Sequence, residues 1–153
     1  RPDTPGENAR MGVKLRRPAL ASYDTAAYLE DLRSVVTCIM IEKSVALDDI
    51  DAILERARLR SIDMTQWGPA DFGFSKGEPG LMGMPQILNY EERVIAKSLE
   101  YGIHPRIEIA EPHQAERYID LGVRHFCLGW DRFIYRNSLI SVGEQMQELT
   151  AGL

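Results

Sequence analysis

Residues 35–71 read VVTCIMIEKSVALDDIDAILERARLRSIDMTQWGPAD. The first seven form an unbroken apolar run rich in β-branched side chains, the pattern of a strand covered on both faces. Ser44 then stands as the expected cap of a helix in which Leu47, Ile50, Ile53, Leu54 and Ala57 form one stripe at helical spacing. Residues 61–67 read as a weaker strand. Strand, amphipathic helix, strand is the signature of a parallel crossover.

The same rhythm continues downstream. A loop rich in glycine and proline is expected over residues 68–85, then a helix over 86–101 that ends at Gly102, a natural C′ residue. Residues 104–110 make the next strand. Pro112 opens a short helix that ends at Leu121 and Gly122, residues 124–129 make the fourth strand, and residues 131–149 the last helix. Upstream, residues 1–18 carry three prolines and two glycines without any period and read as a loop. Residues 21–33 place Ala26, Ala27, Leu29 and Leu32 at helical spacing, with Ser22 or Asp24 as the cap. Four such β/α units make either a small doubly wound sheet or half of a (β/α)8 TIM barrel. The first reading calls for a glycine-rich dinucleotide turn after the first strand. The residues there are Glu42-Lys43-Ser44, so the α/β barrel half is preferred. The expected organisation is a single domain, 1–153, with residues 1–20 a loop and 21–153 the β/α units.

With 153 residues, 44% apolar and 27% charged, the chain has the composition of a soluble globular protein. A net charge of −5 argues against nucleic acid as a partner, because a phosphate backbone needs a basic surface. No apolar run approaches the ~20 residues that span a bilayer, so no membrane is expected as a partner, and the expected location is the cytoplasm. Cys38 and Cys127 sit in the apolar runs VVTCIMI and HFCLGW and read as buried thiols. His125 shares a strand face with Cys127 without making a dyad with it. The sequence begins at Arg1 without an initiator methionine, and the expectation is a chain that was cut or that carries only the C-terminal part of a barrel.

Functional side chains in parallel α/β architectures gather at the C-terminal ends of the strands. Those ends read Ile41-Glu42-Lys43, Gly68-Pro69-Ala70-Asp71, Ile109-Ala110-Glu111 and Gly129-Trp130-Asp131. Neighbouring strands lie ~5 Å apart, so Glu42 and Asp71 can converge on one point. Two hard carboxylates with positions left open suit Mg²⁺ or Mn²⁺. Acidic residues at strand ends also serve as helix caps or loop charges, and spacing alone does not separate these roles.

The stretch IMIEKSVALDDIDAILERARLRSIDMTQWGPADFGFSKGEPG resembles the HpcH/HpaI aldolase/citrate lyase family, in which a strand ending in an I-E-type motif precedes a strand ending in G-P-A-D and a loop like S-x-G-x-P-G. GIHPRIEIAEPHQAERYIDLGVRHFCLGWD is similar to that family's last two β/α units, so this chain would supply the C-terminal half of the barrel, about four β/α units. The resemblance covers about two-thirds of the chain. It implies a class II aldolase that cleaves 4-hydroxy-2-oxo acids to pyruvate and an aldehyde. A divalent metal (Mg²⁺, Mn²⁺ or Co²⁺) would be held by Glu42 and Asp71 and chelated by the substrate. Gly68, Ala70 and Asp71 would form the substrate-carboxylate site, through the backbone N–H groups of Ala70 and Asp71. The metal would act as a Lewis acid, stabilising the enolate formed on C–C cleavage.

Three departures accompany the resemblance. Met40 stands where many members have a glutamine that contacts substrate, and a thioether cannot donate that hydrogen bond. LERARLRSID is longer than the usual helix-to-strand turn, at the face away from the chemistry. The family's catalytic arginine and histidine–aspartate base match nothing here, so the catalytic residues are unknown and expected upstream of Arg1, and the 153-residue chain alone is expected to lack turnover.

The remaining tempting residues have plainer readings. Arg106 and Glu108 alternate with Ile107 and Ile109, so a salt bridge within a barrel layer is expected rather than a substrate contact. Asp131 reads as the N-cap of the last helix, His104 and His113 as surface residues, and Lys76 as a solvated loop lysine; Arg16 and Arg17 carry little weight. The last helix is more apolar than one face against a barrel requires, which suggests a homo-oligomer. Two alternatives stay open: a citrate-lyase-type acyl-CoA lyase on the same barrel, for which Arg16, Arg17 and Lys76 make only a thin basic patch, and a non-catalytic half-barrel assembly module.

Overall fold

A computed structural model of the chain describes residues 25–153. The readings for residues 1–18, and the cap at Ser22 or Asp24, lie outside the described residues. The chain divides into two units, residues 1–37 and 38–153. In the first, α1 spans Thr25–Ser34, and Arg33 pairs with Glu30 at 2.7 Å across one turn.

The second unit is a parallel four-stranded sheet in the order β1-β2-β3-β4, formed by Cys38–Ile41, Met64–Trp67, His104–Ile109 and His125–Leu128. Between the strands run α2 (Ser44–Asp48) and α3 (Ile50–Leu59), α4 (Pro69–Ser75) and α5 (Ile87–Glu100), then α6 (Ala115–Asp120), and α7 (Asp131–Thr150) follows β4. Sequential order with parallel pairing at every step is the arrangement of consecutive β/α units.

One face of the sheet is covered. Ile41 and Trp67 pack against Leu47, Ile50, Leu54, Phe72 and Val94 in one cluster, and Ile107 and Ile109 against Ile95 and Val123 in a second. The helical stripe is therefore as expected, with Ile50 and Leu54 fully buried. Thr65 on β2 meets Ser98 on α5 at 2.7 Å, and Ser98 donates to the Val94 carbonyl, so the two buried hydroxyls are both satisfied. Gly102 ends the turn after α5 with a φ of +70°, a conformation glycine adopts without steric cost.

The other face carries a different set of side chains, fixed by the register. Cys38 pairs with Met64 and Met64 with His104; Met40 pairs with Gln66, Gln66 with Arg106, and Arg106 with His125; Glu108 pairs with Cys127. Several expectations give way here. The strand covered on both faces is covered on one, and it starts at Cys38, because Val35 and Val36 lie outside it at 53% and 60% exposure. Cys38 is exposed and Cys127 half-buried, because they lie on the face opposite the helices. The loop expected over 68–85 contains α4 and a 3-10 turn, Leu81–Gly83. Most of LERARLRSID is helix: α3 runs to Leu59 and only four residues join it to β2.

Candidate metal centre

Glu42 leaves the end of β1 half-buried. The Gly68 N–H donates to the Ile41 carbonyl at 3.1 Å, extending the β1–β2 ladder by one step and bringing Gly68 level with Glu42. A Cβ on residue 68 would lie 2.7 Å from the Glu42 Cβ, 3.1 Å from its Oε2 and 3.3 Å from the Met40 Cε. Gly68 has a φ of −116°, which any residue adopts, so glycine is needed there for space alone.

From Gly68 the chain turns directly into α4, with Pro69 at its first position and Asp71 in its first turn, both favourable at a helix start. The first helical bond at this end runs from the Phe72 N–H to the Gly68 carbonyl, which leaves the N–H groups of Ala70 and Asp71 without an acceptor within the helix. The Gly68 N–H, by contrast, is engaged by Ile41. Phe72 anchors the helix: it is 1% exposed, with ring centroids 4.7 Å from Trp67 and 4.9 Å from Tyr90. Asp71 itself is exposed.

Neither Glu42 nor Asp71 forms an ion pair with a lysine or arginine among the described residues. Two unneutralised carboxylates, one of them held against the start of a helix, suit a hard divalent cation. No group of three His, Cys, Asp or Glu side chains able to hold a metal occurs among the described residues, so such a cation would take its other ligands from water or substrate oxygens.

Other expected residues have different partners from those the sequence suggests. Ser44 is not the cap of α2. Lys43 holds that position without a side-chain bond, and the Ser44 N–H donates instead to the Ser75 Oγ at 2.6 Å. Asp131 is the first residue of α7 rather than its cap, which is Trp130; the Asp131 carboxylate accepts the Arg132 N–H at 2.7 Å. Arg106 and Glu108 do share a face, but the layer salt bridge is absent among the described ion pairs, and Glu108 accepts instead from the Gln66 Nε2 at 3.4 Å. Lys76 is exposed just past α4, as expected, but its side chain has partners. It lies over the Phe72 and Tyr90 rings and 3.8 Å from Glu78. Glu111 forms a reciprocal capping box with Gln114, whose Oε1 accepts the Glu111 N–H at 3.0 Å. The Cys38 thiol is pushed up from its ordinary pKa by partial burial, against the pull of the Arg106 charge, so it is not an activated nucleophile.

Gln66 and Ser75 escape a reading of the sequence, as does the contact between His104 and His125. The His104 and His125 rings meet edge-on at 5.1 Å, on neighbouring strands whose register no local signal specifies.

No family model matches the sequence. The chain is 30% identical over 108 residues to 2-keto-3-deoxy-L-rhamnonate aldolase of Salmonella paratyphi B (strain ATCC BAA-1250 / SPB7), a match that covers 71% of this chain and 39% of that protein. Citrate synthase SbnG is 26% identical with a TM-score of 0.66, over 84% of this chain and 53% of that one. The HpcH/HpaI aldolase of Desulfitobacterium hafniense DCB-2 has the same TM-score at 18% identity, over 83% and 49%, and shows the fold alone. The chain thus spans well under two-thirds of the relatives it matches, and its four parallel strands correspond to about half of an aldolase barrel. Strand-end motifs, sheet order and these partial matches agree with the resemblance to the HpcH/HpaI aldolase/citrate lyase family, about half of whose barrel this fold matches.

Proposed function

We propose that the chain supplies the metal-binding part of a class II aldolase that cleaves 4-hydroxy-2-oxo acids to pyruvate and an aldehyde. Glu42 and Asp71 hold a divalent cation, Mg²⁺, Mn²⁺ or Co²⁺. The N–H groups of Ala70 and Asp71 receive the substrate carboxylate, next to Gly68, whose missing side chain leaves room for Glu42. When bound, the cation supplies Lewis-acid stabilisation of the charge that develops on the keto oxygen. Glu42 and Asp71 orient it, and the open first turn of α4 fixes the carboxylate end of the substrate. The observation that carries this reading is the packing of the Glu42 carboxylate against Gly68, directly at the start of the helix that bears Asp71. The exposed α7, none of whose residues is buried, is assigned to contact between copies of the chain.

The arginine and base implied by the resemblance match no residue among these 153, so the direct test is of binding. Calorimetric titration of the chain with pyruvate is expected to give heat only when Mn²⁺ or Mg²⁺ is present. Equal binding with and without a divalent cation, or none in either case, would contradict the proposal. A second reading, cleavage or condensation of an acyl-CoA thioester, draws support from the 26% identity to a citrate synthase. Coenzyme A displacing pyruvate from the metal-loaded chain would favour it.

A further inference from the structure

Ser44 and Ser75 join the two segments that carry Glu42 and Asp71, and neither serine has a part in the reading above. The Ser44 N–H donates to the Ser75 Oγ at 2.6 Å, and the Ser75 hydroxyl donates in turn to the Ser44 Oγ at 3.2 Å. Ser44 is the first residue of α2, two residues after Glu42. Ser75 is the last residue of α4, one turn along from Asp71, and residues four apart lie on the same side of a helix.

We propose that Ser75 is a positioning residue, which ties the end of α4 to the start of α2 and so holds the Asp71 carboxylate in register with Glu42 as a preformed divalent-cation site. The proposal rests on the metal-binding reading. Seven residues are too few for α4 to hold its own orientation, because short helices are marginal without tertiary contacts. Other contacts hold its start and its buried side: the Gly68 N–H to Ile41, the Phe72 ring between Trp67 and Tyr90, and buried Gly73, whose carbonyl accepts the Glu78 N–H at 2.8 Å. These contacts set the distance of the helix from the sheet, and none of them is made by its last residue, so resisting a rocking of the far end falls to Ser75. The serine bonds sit at the opposite end from Gly68, where they have most leverage on that motion. Asp71 is exposed and, among the described residues, no side-chain bond or ion pair holds it, so its placement follows the helix backbone. A ligating pair must be held to within roughly 0.5 Å to be preorganised.

The chemistry of the contact also selects the side chain. Residue 75 must accept from an N–H at the start of α2, a donor with no partner inside its own helix, while donating to a second hydroxyl. Serine and threonine do both; alanine does neither.

The test is Mn²⁺ affinity of the 153-residue chain, read by electron paramagnetic resonance, for wild type, Ser75→Ala, Ser75→Thr and Ser44→Ala, with thermal unfolding of each in parallel. Ser75→Ala is expected to weaken Mn²⁺ binding about tenfold, the lower end of what outer-shell partners of metal ligands contribute. Ser75→Thr should restore it. Ser44→Ala, which keeps the N–H bond and loses only the hydroxyl acceptor, should lie between. A helix cap without influence on the site would lower the unfolding temperature and leave the affinity untouched, so wild-type affinity in Ser75→Ala overturns the proposal while the metal reading stands. Absence of Mn²⁺ binding in the wild type removes the metal reading, and this proposal with it.

Discussion

The Glu42 side chain occupies the space that a side chain on Gly68 would need: its Cβ and Oε2 lie 2.7 and 3.1 Å from where a Cβ on residue 68 would sit. The closer of the two is the root of the glutamate, which cannot swing aside as the tip of a flexible chain does. The end of β1 and the turn into α4 are therefore built as one object, and the position of the carboxylate depends on the missing methyl group.

Gly68→Ala is accordingly expected to push Glu42 off its place. Overpacking of this kind costs about 1–3 kcal/mol, which urea unfolding will register. The backbone itself is not strained, since the φ of −116° is open to alanine. The same variant should bind Mn²⁺ more weakly than wild type. Unchanged stability together with unchanged metal affinity would mean that Glu42 relaxes freely and is not held by the turn.

Tyr118 gives a pH-dependent expectation. Burial, and then the neighbouring Glu91 charge that its hydroxyl also contacts at 3.2 Å, push the phenol up from 10.0 to about 12. A group whose folded pKa is raised contributes stability that is complete below its unfolded pKa and disappears as pH rises through the folded value. The contribution is therefore present below pH 10 and lost toward about 12. Difference titration of phenolate absorbance between wild type and Tyr118→Phe measures the value directly, and Glu91→Gln should move it part of the way back. A Tyr118 phenol that titrates with the ordinary tyrosines would refute this.

The last helix is expected to bring copies of the chain together. No residue of α7 is buried, and Phe133, Ile134, Leu139, Ile140, Val142 and Met146 all stand 42% exposed or more. Light scattering at micromolar concentration should report a species larger than a monomer, and Ile134→Asp with Ile140→Asp should reduce it. A monomeric wild type that binds no hydrophobic dye would contradict the assignment.

How far the sequence was legible follows from how local each signal is. The stripe of Leu47, Ile50, Ile53, Leu54 and Ala57 and the run VVTCIMI carry their own patterns, so a helical segment and a strand could be placed without knowing the partner of either, but not the break at Asp49 between α2 and α3 or the strand's start at Cys38. The places of Glu42, just past β1, and Asp71, in the first turn of α4, were readable because position after a strand is itself a local property. Ser44 was misread as a cap because its true partner is 31 residues away, and nothing near Ser44 announces it. Likewise Cys38 and Cys127 sit in apolar runs, yet alternation along a strand assigns one face to the helices and the other away from them, and an unbroken run does not say which residues go where. The bond from Gln66 to Glu108 depends on a register that only the assembled sheet fixes.

Everything proposed for this site depends on Glu42 and Asp71 together holding a divalent cation. The most direct test is calorimetric titration of Mn²⁺ into wild type, Glu42→Ala, Asp71→Ala and the double variant, each confirmed as folded by circular dichroism. One strong site is expected in the wild type, with a large loss of affinity in either single variant and little further loss in the double, because the two carboxylates act as a unit. Undiminished Mn²⁺ affinity in both single variants would contradict it.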